Sequence, residues 1–185
     1  GGLFVITSYL WFSEYWLQDY EPHEYKESAH ALGPLVQISW RSFLVWVALL
    51  ALGLVYKRVG PSPKGVAGYF IFLMVLGFLP SFLFLRAVAR FVNWRAFAGA
   101  FAALMLVSLM WEATLGVPYD WWNYKGEQML GIHIKAWSGL PLEAVLLWLV
   151  IAWDCIIAFE IFRVYFHMDR RPMQALFGKG GTTVA

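Results

Sequence analysis

The amino-acid sequence predicts an all-α integral membrane protein of about five transmembrane helices with a weak internal repeat. Of its 185 residues, 61% are hydrophobic and 19% aromatic. Only 14% are charged, against about a quarter in soluble domains. The apolar residues gather into runs close to the ~20 that a helix needs to cross the hydrocarbon core. Lys and Arg collect at the ends of those runs, as membrane flanks do.

Segment A, residues 3–17, is short and contains Glu14. It spans only if upstream residues lengthen it, which would allow a sixth span, or if the bilayer is locally thin. Its start lacks the basic stretch and small-residue cleavage site of a secretory signal. Segment B, 35–56, is a full span with Arg41 in its second turn. Segment C, 66–85, carries Pro80 and is expected to kink there, which neighbouring helices tolerate. Segment D, 96–117, presents Ala96, Gly99, Ala100 and Ala103, a spacing of small residues that lets helix backbones approach closely. Segment E, 141–162, is a full span. Residues 1–166 thus form a polytopic membrane domain, and 167–185 a polar C-terminal tail ordered only in part.

Five spans place the A–B loop, the C–D loop and the tail on one side. That side has eight Lys and Arg and the other has five. The positive-inside rule then puts the tail in the cytoplasm, with a bacterial inner membrane as the expected location. A net charge of +2 gives no reason to expect nucleic acid. The lone Cys155 excludes an internal disulfide and a cysteine metal site. His23, His30, His133 and His167 include no i, i+4 pair, so a membrane di-iron or haem enzyme is not expected. Neither a Gly-rich phosphate loop nor a G-x-S-x-G nucleophile is present. No metal or cofactor is expected.

The repeat is faint. Segment A leads into Tyr20-x4-Tyr25, then Gly33-Pro34-Leu35 and segment B. Segment D leads into Tyr119-x4-Tyr124, then Leu140-Pro141-Leu142 and segment E. Segments B and C between the two units give them opposite orientations, as in inverted repeats. Glu143 in the second unit corresponds to Val36 in the first.

Carboxylates inside such segments are expensive and mark candidate sites. Glu112 follows Trp111 at the end of segment D, one turn after Ser108. Glu143 lies in the first turn of segment E, where the helix dipole also favours an acid. The two flank one loop and should share one membrane face. A carboxyl in apolar surroundings holds its proton more tightly and becomes a general acid. A nearby carboxylate can then remove a proton, without metal or redox cofactor. Asp154, eleven residues beyond Glu143, shares its face about 16 Å along the axis. Its alternatives are an interhelical partner such as Arg41, or a role as proton donor or relay. Glu160 has Arg163 three residues on, a natural ion pair. Trp111, Trp122, Tyr124 and Trp148 surround the acids, either as an interfacial belt or as a wall whose π faces stabilise a cation.

The run Trp122-x-Tyr124, Leu130-Gly131-Ile132 and Leu140-Pro141-Leu142-Glu143, with a helix ending at Phe159-Glu160, resembles the lycopene cyclase domain family. These are small polytopic carotenoid cyclases of the heterodimeric bacterial and fused fungal type, which lack the flavin-binding fold of the other cyclase class. About 55 residues carry the resemblance. Glu112 stands where the family more often has Asp, and Ala144 where a second acid commonly follows the first.

The resemblance implies acid–base cyclisation of a polyene end group. Glu112 and Glu143 are the acid and base candidates, Asp154 a further candidate, and Trp111, Trp122, Tyr124 and Trp148 the substrate wall. The expected partners are the bilayer, a carotenoid or other isoprenoid, and further membrane subunits or copies of this chain. A non-catalytic subunit of a membrane complex, holding carotenoid or lipid, is the alternative. A small transporter using Asp154 as its proton site is a third reading.

Overall fold

The computed structural model describes residues 1–17, 22–60, 64–121 and 123–178. The chain is mostly helical. Its helices are α1 (Gly2–Trp11), α2 (Pro22–His30), α3 (Trp40–Val59), α4 (Gly68–Val88), α5 (Trp94–Trp111), α6 (Leu142–His167) and α7 (Pro172–Phe177). Two short strands, β1 (His133–Ile134) and β2 (Leu140–Pro141), pair antiparallel.

Among the described residues, four helical stretches are long and apolar enough to cross a membrane: α3, α4, α6, and α5 with the turn that prolongs it to Gly116. The count differs from five at segment A. Ten residues make α1, and a π turn, Phe12–Trp16, follows it. Glu14 sits exposed in that turn, so its charge escapes the bundle interior.

The ends of the spans follow local chemistry more than hydropathy. Residues 35–39, Leu-Val-Gln-Ile-Ser, are not helical. Their amides bond outward, Leu35 and Val36 to the carbonyls of Ala175 and Leu176, and Gln37 and Ser39 to those of Leu83 and Phe82. Ser39 then caps α3 by accepting from the Ser42 amide, as an N-cap serine does. Asn93 caps α5 in the same way through the Ala96 amide. Helix α4 continues through Pro80. Next to it, the Ser81 hydroxyl donates to the Gly77 carbonyl and accepts from the Trp153 indole of α6.

Helix α6 is the axis of the bundle, with α1, α2, α4 and α5 packed on it and α3 on the outside of α4. Ala96 and Ala100 are fully buried where α5 meets α1 and α6. A Cβ at Gly99 would lie 3.0 Å from the Phe12 ring. The small-residue face expected on segment D is therefore a packing face. Large apolar side chains such as Leu44, Leu52 and Val59 of α3 point outward, as lipid-facing residues do.

The loops sort to two ends as the span order requires. At one end Lys57 of α3 donates to the carbonyls of Gly126 and Met129, joining the α3–α4 turn to the loop before α6. At the other, Arg90 reaches the Ser28 carbonyl, and Arg170 those of His30 and Leu32. The tail is ordered as α7 as far as Gly178, with Ala175 buried in the core. Residues 179–185 lie outside the described residues.

Candidate functional site

Helix α5 ends at Trp111 and passes into a π turn, Glu112–Gly116, closed by the Val117 amide on the Glu112 carbonyl at 2.9 Å. Such turns widen the helix by one residue and recur at functional sites. Here the turn leaves Glu112 pointing inward, 4% exposed. Tyr124 donates its hydroxyl to Glu112 Oε2 at 2.8 Å. The Trp148 indole of α6 donates to Oε1 at 3.4 Å.

The loop between α5 and α6 is more ordered than the sequence suggested. Ser138 and Gly139 adopt left-handed φ of 54° and 74° and turn the chain into β2. The hairpin pairs His133 with Pro141 and Ile134 with Leu140, and the Leu142 amide bonds the Ile132 carbonyl. This holds the Leu130 amide over the first turn of α6, where it donates to Glu143 Oε1. Glu143 is fully buried, and its Oε2 has no hydrogen-bond partner. A buried acceptor left unmatched is uncommon.

Glu112 faces a cavity of about 590 Å³, lined also by Leu104, Val107, Ser108 and Trp111 of α5, by Tyr69 of α4, Tyr124, and Leu147 and Trp148 of α6. Gly1 and Phe4 complete the lining. Its size falls within the ~300–1,000 Å³ usual for small-molecule sites. The wall is apolar and aromatic apart from Ser108, the Glu112 carboxyl and its donors. Glu143 lies behind this wall. Leu147, one turn after Glu143 on α6, lines the cavity with Glu112, which places the two acids at one end of the bundle.

Four expected residues thus meet at one cavity: Glu112, Trp111, Tyr124 and Trp148. Glu143 stands beside it rather than on its surface. Asp154 stands apart, near the middle of α6. Arg41 is exposed at the start of α3, and Asp154 Oδ1 is covered but unpartnered. Trp122 lies outside the described residues. Among the described residues no cluster of His, Cys, Asp or Glu has the arrangement of a metal site.

Tyr69 is the participant that sequence reasoning passed over. It lies in the first turn of α4, at a depth where a Tyr reads as interfacial belt. The available signal was topological, because the α4 start and the α6 start share one membrane face.

The opposite end holds a second acidic centre of different character. Glu160, fully buried, accepts from Tyr9 at 2.8 Å and from Tyr25 at 2.7 Å. Arg163 lies 3.6 Å away, and its guanidinium also stacks 4.1 Å over the Tyr25 ring. The Asn93 amide donates to the Tyr9 oxygen. This network ties α1, α2, α5 and α6 together. The ion pair expected between Glu160 and Arg163 forms within it, and every oxygen of Glu160 is engaged.

Comparison of the chain with protein-family models, with curated proteins and with solved structures finds no match.

Proposed function

We propose that this chain is an intramembrane isoprenoid or carotenoid cyclase that works by acid–base carbocation chemistry. The observation that carries the reading is Glu112. It is a buried carboxyl on the wall of an aromatic, membrane-embedded cavity, held by two donors, with a second buried carboxyl beside it. The resemblance to the lycopene cyclase domain family points the same way.

In this reading Glu112 delivers a proton to the end-group alkene of a linear isoprenoid. A C–H bond forms and the alkene π bond breaks. A neighbouring alkene closes the ring onto the resulting cation, which faces Trp111 and Trp148. The Tyr124 hydroxyl and Trp148 indole hold the carboxylate left behind, as aimed donors stabilise charge that develops in a transition state. Loss of a C–H proton from the ring regenerates an alkene. Glu143, one turn before the cavity-lining Leu147, is the second carboxyl of the proton cycle. One proton enters and one leaves, so substrate and product are isomers.

The inverted repeat belongs to the same reading. Helices α1 and α5 run antiparallel and both pass from a Trp into a π turn. Helices α3 and α6 also run antiparallel. An ancestral pair of units would have kept its acid only in the second. The positive-inside balance places the tail in the cytoplasm. A membrane-complex subunit is the second reading, favoured by α3, on which Lys57 alone is buried.

The test is product analysis by chromatography in cells that accumulate lycopene, with Glu112→Gln and Glu143→Gln beside the wild type. Cyclised isomers in the wild type, lost in Glu112→Gln, support the cyclase. In D2O each ring closed should carry one deuterium. Folded wild-type protein that leaves lycopene and shorter linear isoprenoids unchanged would move the weight to the subunit reading.

A further inference from the structure

The end of α6 opposite the Glu112 cavity carries a second hollow that the proposed chemistry leaves unused. It measures about 460 Å³ and is lined by Tyr165, Phe166, Asp169, Arg170 and Arg171. Helix α6 is long and apolar enough to span and ends at His167, so the hollow lies at the depth of the lipid headgroups.

Its charges suit an anion. Arg170 is held in place by donating to the carbonyls of His30 and Leu32, which carry no full charge and leave its own uncancelled. Arg171 is exposed. Among the described residues its guanidinium has no hydrogen-bond or ion-pair partner, and the Tyr165 hydroxyl has no hydrogen-bond partner. The acid of the group, Asp169, faces α2, with its Oδ2 3.4 Å from His30 Nε2.

An apolar track leads into the same hollow. Ala158, Phe162 and Phe166 follow at every fourth residue of α6, the spacing of one helix face, and all are exposed. Phe162 and Phe166 are 61% and 73% accessible. The track runs about 12 Å along the axis and ends on Phe166, which lines the hollow. A molecule that fits both features is anionic at its head and apolar along its length.

We infer that this hollow binds an anionic phospholipid, its phosphate beside Arg170 and Arg171 and one acyl chain along Phe166 and Phe162. Basic pockets at the ends of spanning helices hold such headgroups by charge, and arginine pairs well with phosphate oxygens. A zwitterionic lipid offers the same chain but offsets the attraction with its own cation. The site lies away from Glu112 and does not depend on the cyclase reading.

The test is native mass spectrometry of the full chain, titrated in detergent with phosphatidylglycerol or with phosphatidylcholine of the same acyl chains. The wild type should prefer phosphatidylglycerol. Arg171→Gln should weaken its binding about fivefold, as the loss of one cation worth about 1 kcal/mol near an anionic surface gives, and leave phosphatidylcholine unchanged. Arg171→Lys keeps the charge and should retain most of the preference. Phe166→Ala should weaken both lipids by the same factor. Arg58→Gln removes an exposed cation at the far end of the bundle and should change neither. Inorganic phosphate at the same concentration should not displace the lipid. Equal binding of the two lipids by the wild type would overturn the assignment. So would equal losses in Arg171→Gln and Arg58→Gln, which would mean attraction to the chain's charge at large. Displacement by inorganic phosphate would overturn it in favour of a soluble anion.

Discussion

Tyr124 donates its hydroxyl to Glu112, twelve positions earlier in the chain, at 2.8 Å. The contact ties the loop before α6 to the π turn that ends α5. It also fixes one oxygen of the acid on the cavity wall, while Trp148 of α6 engages the other. Removing the Tyr124 hydroxyl should therefore act on chemistry more than on folding. Tyr124→Phe keeps the ring and loses one donor, for about 1–3 kcal/mol of charge stabilisation, or about a ten- to hundredfold fall in cyclisation rate. Trp148→Phe should act similarly, and the two should not be additive, because both bond one carboxyl. A double-mutant cycle on product formation measures this. Unchanged rates in both single variants would remove Glu112 from the chemistry.

Much of this arrangement was legible in the sequence. The apolar runs, the loops shared at each end and the small face of α5 follow from composition and spacing. So do the proximity of Glu112 to Tyr124 and the Glu160–Arg163 pair. The errors have local causes. Residues 35–39 look like the start of a span because Leu35, Val36 and Ile38 lead into the apolar run of α3. Hydropathy does not record that their amides are used by α7 and by the end of α4. Segment A looks like a span until its length and its π turn are seen. Hydropathy is equally blind to the hairpin before α6, which depends on a left-handed Ser138 and Gly139. Asp154 was placed with the acids by helical angle alone, and angle does not say how far along the axis a cavity reaches.

Glu143 separates stability from catalysis. Its Oε1 is the acceptor for the buried Leu130 amide. Glu143→Leu strands that amide, at about 1–3 kcal/mol, and should lower the midpoint of thermal unfolding in detergent. Glu143→Gln keeps the acceptor, so it should melt close to the wild type while losing the proton function. Equal melting of the leucine and glutamine variants would mean that the amide contact contributes little.

The Glu160 centre should show in the alkaline limb of stability. Burial, and next the charge of Glu160, hold the Tyr25 hydroxyl above its ordinary value of 10.0. The folded state therefore keeps a proton that the unfolded chain releases near pH 10. The stabilisation is fully present below about pH 10 and is lost as pH rises from there toward the folded value. Thermal unfolding followed from pH 8 to 11 should fall more steeply in the wild type than in Tyr25→Phe, which has no proton to lose. Parallel curves would count against this coupling.

Gly77 and Val150 form a close helix approach that a single substitution can probe. A Cβ at Gly77 would meet Val150 Cγ2 at 2.7 Å, well inside van der Waals contact. The Ser81–Trp153 bond holds the helices together one turn further on, so α4 and α6 cannot simply part. Gly77→Ala should destabilise the fold by about 1–3 kcal/mol, the usual range for overpacking a close-packed site. Val150→Ala in the same chain removes the atoms that clash. The double variant should then melt above Gly77→Ala alone, even though Val150→Ala by itself leaves a void. Thermal unfolding of the four proteins measures the coupling. Strictly additive losses would mean that the helices separate freely.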